Sequence, residues 1–118
     1  MKTFQDELKV ACTGEYQLFK SIDAGKYTLS VQGSTGAYCS PRYELPPHSY
    51  SSMEIAIFKD DKWLNVAKSS VLRSFPRFSE LKERADGWFP NKGGCAGAVV
   101  FGYVPVDLIE DLYIYLKS

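Results

Sequence analysis

"SMEIAIFKDDKWLNVA", residues 52–67, is the stretch whose reading decides the architecture. Met53, Ile55 and Ile57 alternate with Glu54, Ala56 and Phe58, the period of two that puts successive side chains on opposite faces of a strand. "KDDK" (59–62) then breaks the run. Aspartate tolerates turn geometry because its short side chain bonds locally to the backbone. "WLNVA" (63–67) reads as the returning strand of a hairpin. Strands joined by so short a turn pair antiparallel, since a parallel neighbour needs a crossover of a dozen residues or more.

Working outward, "KYTLSVQG" (26–33) repeats the alternation. Tyr27, Leu29 and Val31 share one face, and Thr28, Ser30 and Gln32 the other, so a half-buried strand is expected. "DAGKY" before it reads as a stop and a turn. On the other side of the hairpin, "CAGAVVFGYV" (95–104) is apolar on both faces, as a central strand is. Gly97 and Gly102 inside it mark a bulge or a close backbone approach.

The ends of the chain read as helices. In residues 3–22, Phe4, Leu8, Ala11, Cys12, Leu18, Phe19 and Ile22 recur near helical spacing. Thr3 and Asp6 resemble a capping box. Gly14 interrupts the pattern, which leaves room for two short helices or for a helix followed by a strand. "FSELKERA" (78–85) fits a short helix with Ser79 as its cap. In "VDLIEDLYIYLKS" (106–118), Asp107 and Glu110 again suggest a capping box. Leu108, Ile109, Leu112, Tyr115 and Leu116 form a core-facing stripe there.

Helices and strands are therefore interspersed around an antiparallel hairpin. The expected fold class is α+β: a single domain over residues 1–118, with a four- to five-stranded, mostly antiparallel mixed sheet and N- and C-terminal helices packed on it. The length of 118 residues suits one domain. Hydrophobic residues make up 45% and charged residues 24%, so the chain lacks the low hydropathy and high net charge of a disordered one.

Fourteen basic and fourteen acidic side chains cancel. A zero net charge argues against a surface built wholly to hold nucleic acid, and it removes the repulsion that keeps copies apart, so self-association as a homodimer is expected. No run is long and apolar enough for a membrane span. "MKTFQDELKVACTG" has no apolar core of a signal peptide. Cys12, Cys39 and Cys95 are odd in number and lack a CxxC. A cytoplasmic chain with reduced thiols follows.

Chemistry is concentrated in "TGAYCSPRYELPPHSY" (35–50). Cys39 and His48 are the candidate nucleophile and base, with Arg42 near enough in sequence to favour a thiolate or to hold an anion. No third residue completes the set. The prolines at 41, 46 and 47 stiffen the stretch into an extended connector. It then presents Arg42 and Tyr43 to a partner.

A second region, residues 70–92, interleaves Arg73, Arg77, Lys82, Arg84 and Lys92 with Phe75, Phe78, Trp88 and Phe89. Tryptophan, phenylalanine and arginine in that mixture are what protein interfaces use, and what cores use with the charges turned outward. Stacking on bases is the weaker reading, since net charge gives it no support.

No metal site is expected, because the cysteines and the lone histidine are unpaired in sequence. No cofactor is expected either. "NKGGCAG" (91–97) has the wrong order for a P-loop, and no GxGxxG occurs. The functional expectation is a non-enzymatic binding module that contacts a protein or a small ligand. Its surface would join Arg42 and Tyr43 to Arg73, Arg77, Trp88 and Phe89. A small cysteine enzyme using Cys39 and His48 is the alternative.

Overall fold

The computed structural model describes residues 3–13, 17–66, 68–86 and 100–118. Its centre is β5 (Ser52–Lys59), the strand expected from the alternation. Met53, Ile55 and Ile57 are fully buried. β6 (Lys62–Trp63) returns alongside it, with Lys59 opposite Lys62 and Phe58 opposite Trp63. Asp60 and Asp61 carry φ of +54° and +61°, the left-handed pair that a two-residue hairpin loop needs to follow the strand twist. The return strand is shorter than expected. After Leu64, whose N–H donates to the Ile57 carbonyl, Asn65 accepts from the N–H groups of Lys68 and Ser69 and turns the chain away. The end of the expected strand, Ala67, lies outside the described residues.

β4 (Tyr27–Gln32) pairs with β5 along its whole length, from Tyr27 opposite Lys59 to Gln32 opposite Glu54. β3 (Ile22–Ala24) covers the outer edge of β4. On the far side of β5 lies β8 (Val100–Pro105), itself edged by β7 (Ala85–Asp86). The order is β3-β4-β5-β8-β7, with β6 beside the end of β5. Every pairing among the described residues is antiparallel. The fold class is α+β.

α4 (Val106–Lys117) packs against β3, β4 and β8 and buries Leu108, Ile109, Leu112, Tyr113 and Leu116. Tyr113 takes a deeper place in the stripe than Tyr115, which is only half-buried. The expected capping box of this helix is not formed. Pro105 stands at the cap, Asp107 pairs with Arg77, and Glu110 accepts the backbone N–H of Phe4 at 3.0 Å. α2 (Ser70–Arg73) was not anticipated. Ser69 caps it by accepting from the Leu72 N–H at 3.2 Å. α3 (Phe78–Lys82) starts one residue before the expected cap, with Arg77 rather than Ser79 in that place.

The N-terminal segment takes the helix-then-strand order left open in its reading, but the helix is far shorter than the spacing over 3–22 implied. Only α1 (Phe4–Glu7) is helical, with the Thr3 N–H donating to Asp6 Oδ2 at 2.8 Å. Leu8 is already extended, and beyond it β1 (Val10–Thr13) and β2 (Gln17–Phe19) pair antiparallel. Phe4, Leu8, Phe19 and Ile22 are buried as the pattern implied, but Leu18 is 48% exposed. The apolar residues reach the core from three different elements, so their helical spacing is coincidental. Gln32 supplies a tertiary reason. Its side-chain amide accepts from the Phe19 N–H at 2.8 Å and donates to the Phe19 carbonyl at 2.9 Å. A β4 side chain thus acts as a strand partner for β2, which a helix through Phe19 would forbid.

No helix among the described residues is long and apolar enough to cross a membrane.

Candidate binding site

Residues 33–51 connect β4 to β5 and are organised around one ring. Tyr50 is buried, and its hydroxyl donates to the Tyr43 carbonyl and accepts from the Leu45 N–H and from the Gln17 side chain, each at 2.9 Å for the accepted pair. Gln17 also reaches the carbonyls of Gly33 and Leu45. Burial pushes the Tyr50 phenol above its ordinary value. Gly33 is required here, because a Cβ at this position would lie 2.6 Å from Tyr50 Cζ. The connector is tied at its far end by Ser40, which bridges to Ser52 at the start of β5. It is ordered by this polar network as well as by its prolines.

Cys39 is sealed in the core, with its thiol donating toward the Ser34 carbonyl at 3.3 Å and the Pro41 carbonyl at 3.4 Å. Burial pushes its pKa up, and the more distant Arg42 charge offsets that only in part. His48 stands on a 3-10 turn (Pro47–Ser49), exposed, with Nε2 at 2.8 Å from Asp6 Oδ1. Asp6 itself is held below the ordinary carboxylate range, first by the Thr3 backbone N–H and then by His48. The hydrogen bonds of Cys39 and His48 thus go to different neighbours. A thiol kept protonated and out of solvent is a poor nucleophile.

Arg42 folds back over the connector. Its guanidinium donates to the carbonyls of Ala37 and Thr35 and lies 5.8 Å from the Tyr38 ring centroid. Tyr38 in turn packs on Tyr103 of β8, with ring centroids 5.9 Å apart and planes tilted by 35°. This contact joins the connector to the β7–β8 edge. The Tyr103 N–H donates to the Tyr38 carbonyl at 2.9 Å, and Arg84, just before β7, donates to the Tyr103 carbonyl at 3.2 Å.

The cause is a bulge. Met53 faces Val104 and Ile55 faces Phe101, so the single residue Glu54 on β5 opposes both Gly102 and Tyr103 on β8. The extra residue is accommodated by Tyr103 at φ +51°, a left-handed conformation uncommon for an aromatic residue. Gly102 leaves room for Tyr38, since a Cβ there would meet Tyr38 Cβ at 3.0 Å. Glu54 accepts the Tyr38 N–H at 3.0 Å and so holds the ring's backbone from below. The result is an open cleft of about 330 Å³ lined by Tyr38, Glu83, Arg84, Gly102 and Tyr103. Tyr38 and Tyr103 remain 44% and 40% exposed.

Of the residues singled out in the sequence, Arg42 belongs to this cluster. Tyr43 lies on the same connector and is 64% exposed. Arg73 is exposed at the end of α2. Arg77 is elsewhere, bound to Glu80 on α3 and to Asp107 and Asp111 on α4 at 2.7, 3.2 and 2.6 Å. Those carboxylates raise its pKa further, and Arg77 in turn lowers that of Glu80. Trp88 and Phe89 lie outside the described residues, as do Cys95 and the side chain of Cys12. Among the described residues, no three histidine, cysteine or carboxylate side chains converge to hold a metal.

Tyr103 lies outside the two stretches that the sequence offers as a surface, while Tyr38 and Arg84 lie inside them without being singled out as site residues. Gly102 was the available signal, since a glycine in an apolar strand marks a bulge or a close approach, and here it marks both. Comparison with protein-family models, with curated proteins and with solved structures finds no match for this chain.

Proposed function

We propose that this chain is a non-enzymatic binding module, acting by protein contact through the face made by Tyr38, Arg42 and Tyr43 of the connector with Arg84 and Tyr103 of the β7–β8 edge. The observation that carries this reading is Tyr103, a left-handed non-glycine residue that stays 40% exposed. Such a conformation costs of order 1–3 kcal/mol and tends to occur where a side chain must be aimed. It aims the ring at Tyr38 instead of into the core. Exposed tyrosines braced by arginines are the anchors that protein interfaces favour. The cleft is shallow, whereas a small-molecule site encloses most of its ligand, so a protein surface is the better occupant. The module would act in the reducing cytoplasm, where Cys39 remains a thiol, and a second copy of the chain is one partner the face would accept.

The test compares immobilised wild type with Tyr38→Ser plus Arg84→Ala in pull-down and in sedimentation velocity. The double variant is expected to melt within a few degrees of wild type and to lose a captured partner or self-association. Trp63→Ser, an exposed aromatic on the hairpin, is expected to retain it. Equal capture by both variants would reject this face. The enzyme alternative has less support, because Cys39 is buried and His48 is engaged by Asp6.

A further inference from the structure

We infer that a second surface, between the β5–β6 hairpin, α2 and the C-terminal end of α4, binds an acidic polypeptide segment of a partner protein. Two adjoining clefts of about 280 and 390 Å³ share Tyr27, Lys59 and Val71. Lys68 lines the first, and Lys26 and Lys117 line the second. No aspartate or glutamate side chain lines either. A chain with zero net charge thus concentrates four lysines along one groove, which shares no lining residue with the Tyr38–Tyr103 cleft.

Among the described residues, none of these four lysines makes an ion pair with a carboxylate. Two of them contact neutral rings: Lys59 Nζ lies 5.7 Å from the Tyr27 ring centroid, and Lys117 Nζ lies 4.6 Å from that of Tyr113 and donates to its hydroxyl at 3.2 Å. Lys62 stands directly opposite Lys59 in the hairpin register, and like charges in that relation repel. Asp60 and Asp61 at the hairpin tip form no ion pair with either. An anion laid along the groove relieves that repulsion, which is charge complementarity of the kind that steers and orients partners.

The chemistry of the groove selects among anions. Base stacking needs open ring faces, but Tyr27 is buried beneath Lys59, and Tyr115 is tied through its hydroxyl to the Val71 carbonyl. Recognition of a single phosphate or carboxylate favours the planar fork of arginine, and the groove's cations are all lysines, spread along two clefts. Val71, 42% exposed, offers an apolar contact between them. An extended chain carrying several carboxylates and an apolar side chain fits these features.

The experiment is a fluorescence-anisotropy titration of the full chain with a fluorescein-labelled peptide of glutamates flanking one leucine, at low salt. Lys59→Gln plus Lys68→Gln is expected to weaken binding by about tenfold. Lys9→Gln plus Lys20→Gln, an equal change in charge at a separate cleft that also holds Glu7 and Asp23, is expected to leave it within about twofold, a margin typical of screened surface charges. The inference is overturned if wild type does not bind the peptide, if both double variants weaken it equally, or if a labelled oligothymidylate binds more tightly than the peptide.

Discussion

Tyr103 departs furthest from ordinary backbone preferences among the described residues outside the hairpin tip. Its φ of +51° follows from the bulge opposite Glu54, and Gly102 beside it supplies the space that Tyr38 needs. The left-handed strain and the value of the ring can be separated. Tyr103→Gly removes both the ring and the strain, while Tyr103→Ala removes the ring and keeps the strain. Tyr103→Gly is therefore expected to be more stable than Tyr103→Ala by about 1 kcal/mol in urea denaturation, while both lose partner binding. Equal stabilities of the two would show that the bulge relaxes without cost. Gly102 announced this site in the sequence. Tyr38 and Arg84 did not, because nothing local distinguishes them from any other exposed tyrosine or arginine.

Between elements, the connections that matter are polar and few. Arg77, at the cap of α3, reaches Asp107 and Asp111 on α4 as well as Glu80 on its own helix. Its acidic partners are largely exposed, so water screens much of the attraction. Arg77→Ala is expected to destabilise the fold by about 1 kcal/mol or less, with the difference shrinking in high salt, as measured by thermal melts across ionic strength. A salt-independent loss would instead assign the effect to packing of the arginine stem. The element least legible in the sequence was the N-terminal segment. Its apolar spacing satisfied a helix over residues 3–22, yet Gln32, on a strand formed later in the chain, takes both backbone groups of Phe19. The reverse error befell residues 63–67, where Asn65 ends the return strand by collecting two N–H groups.

For the fold taken together, pH acts from two sides. Asp6 and Glu80 have pKa values lowered in the folded state. Their contribution is present above the ordinary carboxylate range near 4 and is lost as pH falls through the folded values. Cys39 and Tyr50 have pKa values raised by burial. Their contribution is present below the ordinary values, about 8.5 for a thiol and about 10 for a phenol, and is lost as pH rises through the folded ones. Melting temperature against pH is thus expected to show a plateau between about 5 and 8 with a fall on each side. In Cys39→Ala the alkaline fall is expected to begin about one unit or more later, near the phenol range, because only the Tyr50 part remains. An unchanged alkaline limb would mean that the Cys39 thiol ionises alike in the folded and unfolded states.

By itself the sequence determined β4, β5, the Asp60–Asp61 hairpin, α4 and with them the α+β class. Each rests on periodicity or turn chemistry contained within a few consecutive residues. The tertiary structure alone decided that β8 lies between β5 and β7, that residues 10–13 and 17–19 pair as antiparallel strands, and that Cys39 is buried away from solvent. It alone brought Tyr38 against Tyr103, and set Lys59 and Lys68 along one groove with Lys26 and Lys117. These are contacts between residues far apart in the chain, and no local spacing encodes them, because they arise when the apolar faces of separate elements close on a common core and carry their polar neighbours together.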